Sequence, residues 1–552
     1  MNKKLVLKYA LQNAFFYEGR ANPKAVLGKI MSASRGKGDV DKLRELVLET
    51  VKEVNSLSPE EQKKRLEKLA PELLKKEKKE TGLPELKNAE LGKVVTRFAP
   101  CPSGPLNLLQ ALRAVLLSHT YAKKYKGRFL LRFEDTDPRV VEKPFYKMIE
   151  QDLRSLEARP DSVFIESENM DAFYKYAEQL INEGVFYIDF TPAEDFKKLK
   201  LRKKESMHRD AKPQENLNVW KDMLKGKYKE GECVVRMKTS MKNPNPAFRD
   251  PPMLRIIKSR HPLAGDKYCV WPVYNFANAI EDHITGVTHV FRGKEHEHNT
   301  WIQEKIYLSL GWKAPTVVNF GMIYLPGEKI HTRDIKAGIK SGKYSGWDDV
   351  RLPTIRSLLR RGFLPDAIKE FSDEVSLSKT DIKIDWRKFE TINRKILDPK
   401  ANRYMVVIDP VCISIKGAPK TDSVKVYLHP DFPERGKKTI PVSLDYIYLS
   451  GQDWKDLAGK EIRLKALGNI KLKLKDGFYT DNRIIQDMPK IQWVSKPNIH
   501  VEVVKPDGVV KGLGEPAMKK LKAGCLIQME RVGFGRIDKV SNGKIIIYFA
   551  HK

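Results

Sequence analysis

The chain has 552 residues, of which 41% are hydrophobic and 31% are charged, and this composition fits a folded protein of several domains and argues against a disordered one. No run of 18 apolar residues occurs, so the sequence predicts no helix that spans a membrane. The formal net charge of +31 favours a polyanionic partner such as nucleic acid, and a lysine-rich surface that serves only solubility is the alternative.

The chain start and the cysteines bear on cellular location. The apolar residues of the first segment are interrupted by Lys8, Gln12 and Asn13, which favours an amphipathic helix over a secretion signal. Five scattered cysteines form neither a C-x-x-C pair nor a disulfide framework. We therefore expect a protein of the reducing cytoplasm with no membrane partner.

Residues 1–75 are predicted to be helical, because their apolar residues recur every three to four positions. Ser58 followed by Pro59 marks a helix start. The segment 61–80 holds 13 charged residues in 20 and is typical of a solvated helix that passes into a linker. We place a helical N-terminal extension with its linker at 1–90.

A different pattern begins at residue 93. The stretch KVVTRFAP predicts a strand, LLQALRAVLLSHTYAKKY a helix that Gly127 ends, and RFLLRFED a second strand. Strand, helix and strand in this order indicate a parallel βαβ unit. We therefore predict a domain with a parallel α/β sheet at 91–345. Residues at about 190–265 are irregular and polar, and we expect them to form an inserted subdomain.

The last third of the chain changes character twice. Residues 346–405 are predicted to form a helical junction. After about residue 405, short runs rich in β-branched residues alternate with Gly, Pro and Asn-Gly turns. This texture predicts one or two β-barrels at 406–552. The fold class is therefore multidomain α/β plus β.

Several ordered motifs resemble archaeal-type glutamyl-tRNA synthetases, which belong to the class I aminoacyl-tRNA synthetases. They include RFAPCPSGPL at 97–106, LRFEDTDP at 131–138, VYNFANAIEDHITGVTHVFRGKEH at 273–296 and YSGWDDVRLPTIRSLLRRG at 344–362. The resemblance covers nearly the full chain. It implies that residues 91–345 are a Rossmann-like, doubly wound catalytic domain and that the insert at about 190–265 binds the acceptor stem of tRNA. It further implies a stem-contact junction at 346–405 and β-barrels at 406–552 that read the anticodon. The reaction of this family joins glutamate to ATP and then transfers it to the 3′ end of tRNA.

By motif position, the resemblance implies a retained glutamate pocket. Arg97 and Arg292 would face the substrate carboxylates, because a planar guanidinium matches a carboxylate with two hydrogen bonds. Glu134 would accept the α-ammonium group. The remaining pocket residues implied by the motifs are Ala99, Tyr274 and Asn278. The alternative is that these residues are polar only for structural reasons.

The same resemblance implies a degenerate ATP site. Where the family has His-Ile-Gly-His, this chain has Asn107, Leu108, Leu109 and Gln110, and the loop is one residue longer before Arg113. A leucine would fill the space that the glycine leaves for adenine. Neutral amides can still donate hydrogen bonds to phosphates, but they carry no charge.

The second nucleotide motif also departs from the family pattern. In place of Lys-Met-Ser-Lys-Ser the chain has Lys329, Ile330, His331, Thr332 and Arg333, with Thr332 where the key lysine stands. Losing one preorganised charge stabiliser costs on the order of 10²–10³ in rate. Arg333 or Lys329 could replace that lysine if either lay about one residue from its usual place.

Contacts with tRNA are expected to be retained. The element that meets the inner side of the acceptor stem in the family corresponds here to Trp347, Asp348, Asp349 and Arg351, and Arg360 and Arg361 continue a basic helix. The alternative for such a run of charges is a solvated helix face. His296 and His298 are two residues apart without a cysteine pair, so we expect no metal site.

Three functions remain open from the sequence. The first is a catalytically impaired paralogue, a pseudo-synthetase that binds glutamate-specific tRNA or other structured RNA, with ribosome association left open. The second is an active glutamate–tRNA ligase with unusual motifs. The third is a role without RNA, in sensing glutamate or a nucleotide. No tightly bound cofactor is expected, and ATP with Mg²⁺ only if the activation step is retained.

Overall fold

The structure is a computed structural model that describes residues 3–17, 19–33, 40–74, 83–325, 331–375, 377, 379–541 and 543–552. The chain divides into two compact units, Met1–Leu83 and Pro84–Lys552. The division lies a few residues before the boundary predicted near residue 90. No helix in these ranges combines the length and the apolar character that a membrane crossing requires.

The first unit is helical. The described residues of this unit form the helices α1 (Lys3–Phe16), α2 (Pro23–Ala33), α3 (Val40–Asn55) and α4 (Pro59–Leu69). Helix α4 begins where the sequence predicts, because Ser58 accepts a hydrogen bond from the Glu61 amide and Glu61 accepts one from the Ser58 amide. The buried Gln62 amide donates to backbone carbonyls of Gly19, Val54 and Leu57, which ties three segments of this unit together.

The second unit begins with parallel strands and helices. In chain order these are β1 (Val95–Phe98), α5 (Leu108–Gln110), α6 (Leu116–Lys124), β2 (Arg128–Phe133), α7 (Lys143–Ser155), β3 (Ser162–Ile165) and α8 (Met170–Asn182). Strand β2 pairs in parallel with both β1 and β3, which confirms the predicted βαβ unit. Gly127 follows α6 and is required to be glycine, because a Cβ there would lie 1.9 Å from the Val94 carbonyl oxygen.

A single π-helical turn, Ala111–Val115, joins α5 and α6 into one continuous helix. The Leu116 amide donates to the Ala111 carbonyl, five residues back instead of four. Such a turn accommodates one more residue than an α-helical turn does. It surrounds Arg113.

The inserted region is more regular than the sequence predicts. It contains β4 (Phe186–Asp189), α9 (Ala193–Arg202), α10 (Pro213–Leu224), β5 (Val234–Met237), β6 (Pro252–Ile256) and β7 (Val270–Pro272). The four strands form an antiparallel sheet in the order β4-β5-β6-β7. Strands of three to five residues leave too little alternation in the sequence to stand out among so many charged residues.

The parallel fold resumes after the insertion. Its elements are α11 (Tyr274–Ile284), β8 (His289–Gly293), α12 (Glu297–Ser309), β9 (Thr316–Phe320) and β10 (Ile323–Tyr324). Strands β8 and β9 are parallel, and the Thr288 amide before β8 donates to the Val95 carbonyl of β1 at 2.9 Å. The strands therefore lie in the order β3-β2-β1-β8-β9, and the order reverses between β1 and β8, as in a doubly wound fold.

Helices then lead to the C-terminal strands. They are α13 (Thr332–Lys340), α14 (Ile355–Arg361), α15 (Pro365–Val375) and α16 (Trp386–Leu397), with strand β11 (Ile382–Lys383) pairing with β10. This region contains the predicted helical junction. Buried residues of α14, α15 and α16 share one core with the helices that follow β1 and β2.

The C-terminal region consists of strands, as the sequence predicts. They are β12 (Asn402–Tyr404), β13 (Val406–Ile408), β14 (Pro410–Lys416), β15 (Ser423–Tyr427), β16 (Lys437–Pro441), β17 (Ile447–Ser450), β18 (Glu461–Leu464), β19 (Gly468–Leu472), β20 (Asp476–Tyr479), β21 (Lys490–Ile491), β22 (Ile499–Lys505), β23 (Gly508–Gly514), β24 (Leu526–Met529), β25 (Gly533–Ser541) and β26 (Lys544–His551), with helix α17 (Gly451–Leu457).

Two sheets dominate this region. One has seven strands in the order β12-β24-β25-β26-β22-β23-β13, and the other six in the order β17-β14-β20-β19-β18-β21. The outer strands of the seven-stranded sheet, β12 and β13, follow each other in the chain with one residue between them. The sheet therefore curls until its edges nearly meet, which produces a nearly closed barrel.

Candidate functional site

A cavity of about 440 Å³ opens at the carboxyl ends of β1 and β8, where the strand order reverses. Ligands of doubly wound folds bind at this reversal point. Its lining contains nearly all the residues that the motifs assign to the glutamate pocket and the first nucleotide motif, namely Arg97, Ala99, Asn107, Leu109, Gln110, Glu134, Tyr274 and Arg292. Asn278 lies directly behind this lining and contacts Arg97 and Glu134.

Arg97 is held from below by acidic and amide groups. Its Nε donates to Asp282 Oδ1 at 3.2 Å, and its Nη2 donates to the side-chain oxygen Oδ1 of Asn278 at 3.3 Å. Burial would raise the pKa of Asp282, but Arg97 and Arg132 outweigh it and the pKa is lowered. The charge of Arg97 is thus already shared with a carboxylate of the protein.

Arg132 is the centre of a buried cluster beneath the cavity. Its side chain is 1% exposed and donates to Asn278 at 2.6 Å and to Asp282. Its Nε lies 3.2 Å from Glu166, and its Nη2 lies 3.6 Å from Glu134. Arg132 lies within the motif LRFEDTDP, but the sequence analysis assigned it no role. A charged residue inside an apolar strand is a signal that could have singled it out.

Glu134 reaches the cavity from the end of β2. Asn278 Nδ2 donates to Glu134 Oε1 at 2.8 Å and to the Tyr274 carbonyl at 3.1 Å, which fixes the orientation of the amide. Burial raises the pKa of Glu134, and the nearby Arg132 and Arg97 oppose that effect. Burial also raises the pKa of Tyr274. The pair offers an acceptor and a hydroxyl to a polar ligand.

Arg292, at the end of β8, has neutral partners. Its Nη1 donates to Gln303 Oε1 at 2.9 Å, and its Nη2 donates to Thr300 Oγ1 at 2.6 Å. Both partners lie on α12, one turn apart. Burial lowers the pKa of Arg292, since the charged form loses its hydration. The sequence motifs gave no indication of Gln303 or Thr300.

The first nucleotide motif forms a compact helix start. The Asn107 side-chain oxygen accepts from the backbone N–H of Gln110 at 2.9 Å, and the Gln110 side-chain oxygen accepts from the backbone N–H of Asn107 at 3.2 Å. Leu109 lines the cavity and packs against the main core of the domain. The side-chain carbonyls of Asn107 and Gln110 are thus each bonded within the motif.

The second nucleotide motif is described only from His331 onward, and Lys329 lies outside the described residues. His331 precedes α13 and is exposed, and Arg333 points into solvent with its side chain 86% exposed. Thr332 lies against Gly104, in the loop that precedes the first nucleotide motif, because a Cβ on Gly104 would lie 2.9 Å from the Thr332 methyl group. Neither Thr332 nor Arg333 lines the cavity.

The predicted acceptor-stem element is a tightly bonded turn. Arg351 donates through two nitrogens to Asp349, at 2.8 and 2.7 Å, and the Ser345 amide donates to the same carboxylate. Burial alone would raise the pKa of Asp349, but these hydrogen bonds outweigh that effect and hold the pKa below its usual range. The Trp347 ring packs edge-on against Phe145. Contacts of Trp347, Asp348, Asp349 and Arg351 with RNA stay a prediction.

Arg360 and Arg361 contact the C-terminal barrel. Arg360 donates to both oxygens of Asp538 and also to Asp348. Arg361 is 6% exposed and donates to the Phe549 and Ala550 carbonyls. Their observed partners bind α14 to the barrel, which leaves Arg361 little surface for RNA. A contact of either residue with RNA is untested.

One group among the described residues has the composition of a metal site, Asp398 with His429 and Asp431. However, His429 Nδ1 accepts from the Asp431 amide at 3.2 Å, and its Nε2 meets the Asp398 carbonyl at 3.2 Å. Both ring nitrogens are therefore used within the protein. This group does not provide a free imidazole ligand.

Comparison with known proteins places this chain in a family. Residues 93–399 match the model of the catalytic domain of class I tRNA synthetases (E and Q), and residues 401–485 and 490–538 match two anticodon-binding domain models of the same class. Glutamate–tRNA ligases from Pyrococcus furiosus and Pyrococcus abyssi are each 45% identical to the chain over the full length of both proteins. The ligase from Methanothermobacter thermautotrophicus is 40% identical over 99% of each chain. The chain therefore belongs to the class I tRNA synthetases of the glutamate and glutamine type.

Proposed function

We propose that this chain binds glutamate and a glutamate-specific tRNA, and that its activation of glutamate by ATP is weak or lost. The observation that carries the proposal is the contrast between two parts of the cavity lining. The glutamate half consists of Arg97, Glu134, Tyr274 and Arg292, and the nucleotide half consists of Asn107, Leu109 and Gln110. The glutamate half holds every residue type that the ligand requires. The nucleotide half has two neutral side-chain amides, each of whose oxygens accepts from the other residue's backbone N–H, and a leucine in its wall.

The glutamate half matches the charges of the ligand. Glu134 supplies an acceptor for the α-ammonium group, and Arg97 lies on the same side, next to Asn278. Arg292 supplies a buried cation for the second carboxylate. A ligand with two carboxylates and one ammonium group is complementary to two arginines and one glutamate. This arrangement supports glutamate over glutamine, which has no charge at its side-chain end.

The nucleotide half fits ATP poorly. Leu109 fills part of the wall where the family has glycine, and Gln110 is exposed at the end of α5. Arg333, one candidate replacement for the missing lysine, points into solvent. ATP with Mg²⁺ would therefore meet fewer charged donors than a ligase of this family provides. Three such losses would lower the activation rate by roughly 10⁶–10⁹ if they acted independently, and by less if the groups act as a unit.

The RNA partner is inferred from charge and from the matched domains. The net charge of +31 favours a polyanion. The C-terminal region matches two anticodon-binding models, and the curated relatives are glutamate–tRNA ligases. We assign the helical extension to 1–90, the catalytic domain to 91–345, the stem-contact junction to 346–405 and the anticodon-binding region to 406–552.

A complete glutamate–tRNA ligase is the second candidate. It is favoured by the 45% identity with the Pyrococcus ligases over the full length of both chains. The two candidates differ in one property, since the ligase must bind ATP. Titration calorimetry with a non-hydrolysable ATP analogue, with glutamate and tRNA present, separates them. Binding below about 1 mM would support the ligase, and no heat with tRNA still bound would support the impaired paralogue.

Two variants test the assignment of the halves. Arg292→Ala should abolish glutamate binding, and an unchanged affinity would refute the pocket. Restoring histidines with Asn107→His and Gln110→His should not restore ATP binding, because Leu109 and the π turn remain. Efficient ATP binding by that double variant would refute the argument from Leu109.

A further inference from the structure

Arg97 and Arg292 line the same cavity but differ in the charge of the protein groups that they contact. Arg97 forms a buried ion pair with Asp282 at 3.2 Å. Arg292 donates its two terminal nitrogens to the neutral side chains of Gln303 and Thr300, and no carboxylate of the described residues forms an ion pair with it. A buried guanidinium without a counter-ion is uncommon, because it loses hydration without electrostatic compensation.

The neutral partners are themselves fixed by neighbours. Gln303 is 7% exposed, and its Nε2 donates to Asn275 Oδ1 at 3.4 Å. Asn275 Nδ2 in turn donates to Asn299 Oδ1 at 3.1 Å. Since a guanidinium has only donors, Gln303 must present its carbonyl oxygen to Arg292 and its amide nitrogen to Asn275. A chain of amides between α11 and α12 therefore orients Arg292 without adding charge.

We propose that Gln303, assisted by Thr300, is a positioning residue that determines the charge preference of the pocket, because it holds Arg292 in place and leaves its positive charge available to a ligand carboxylate. This inference rests on the proposed glutamate pocket and specifies how it tells glutamate from glutamine. A glutamate at position 303 has nearly the same shape, but it would pair with Arg292 inside the protein. The ligand carboxylate would then meet a neutralised site.

Titration calorimetry of the full chain with glutamate and with glutamine, without ATP or tRNA, tests this inference. The native chain should prefer glutamate. Gln303→Glu should weaken glutamate binding on the order of 10²-fold and change glutamine binding by less than about tenfold, since only the charged ligand loses its counter-ion. Gln303→Met removes the hydrogen bond without adding charge, so Arg292 keeps its free charge but loses one anchor; glutamate binding should weaken by less than about tenfold and glutamate should still be preferred.

Each outcome decides the inference. An unchanged glutamate preference in Gln303→Glu, or an equal loss of preference in Gln303→Met, would overturn it while the glutamate pocket stands. If Gln303→Glu does not fold, Thr300→Asp places a carboxylate against the other terminal nitrogen and must likewise weaken glutamate binding more than glutamine binding. Absence of glutamate binding by the native chain would refute the proposed function, and the inference with it.

Discussion

Replacing Arg132 with methionine should destabilise the catalytic domain by about 3 kcal/mol. The side chain is buried and pairs with Asp282, Glu166 and Glu134. Breaking a buried ion pair by removing one partner costs about 3–5 kcal/mol, because the other partner stays uncompensated. Asp282 keeps Arg97 as a partner, and burial already raises the pKa of Glu166 well above its usual value, so a proton can neutralise it. Both effects favour the lower end of the range.

Hydrogen exchange is the suitable assay, because unfolding of a chain with several domains is not a single two-state transition. Exchange of the amides in β1 and β2 under native conditions reports the opening free energy of this sheet alone. Arg154→Met is a matched control, since Arg154 pairs with Glu150 at 3.6 Å on the surface and should contribute about 0–1 kcal/mol. A loss below about 1 kcal/mol in Arg132→Met would refute the role assigned to this cluster.

Further predictions concern the junction and the loops. Burial lowers the pKa of His551 to about 4 from 6.5, so the unfolded chain takes up the proton first. The contribution of His551 to stability is complete above pH 6.5 and is lost toward pH 4, about 2 kcal/mol by pH 5; His551→Gln should remove it, as measured by native-state hydrogen exchange of the β26 amides. Gly104→Ala should cost about 1–3 kcal/mol by hydrogen exchange of the β1 and β2 amides, and Thr332→Ser should recover part of it by removing the opposing methyl group. Arg351→Gln should reduce the salt dependence of tRNA binding by about one unit of slope, whereas Arg361→Gln should weaken the barrel contact and leave that slope unchanged.

Local signals in the sequence predict much of the architecture. The helix start at Ser58 follows from the capping pattern, and the βαβ unit follows from the alternation of apolar strand and amphipathic helix. The barrels follow from short strands between Gly and Asn-Gly turns. The residues that line the cavity were predicted from the family motifs, whereas the periodicity of apolar residues gave no indication of them.

Features that depend on distant partners could not be predicted. Asp282 joins Arg132 across 150 positions of sequence, and Gln303 meets Arg292 only because α12 folds back over β8. The π turn likewise depends on how the helix after β1 packs. The sequence also made Arg361 look like part of a basic surface, although its side chain turns inward to the barrel. Residue type and spacing do not say toward which element a side chain will turn.

Charging of total tRNA with labelled glutamate and ATP, at high protein concentration and with tRNA present throughout, measures whether this cavity activates glutamate. Little or no glutamyl-tRNA should form, while tRNA is still retained by the protein on a filter. Rapid charging would contradict this expectation, because the cavity would then activate glutamate despite Leu109 in its wall and Thr332 in place of lysine.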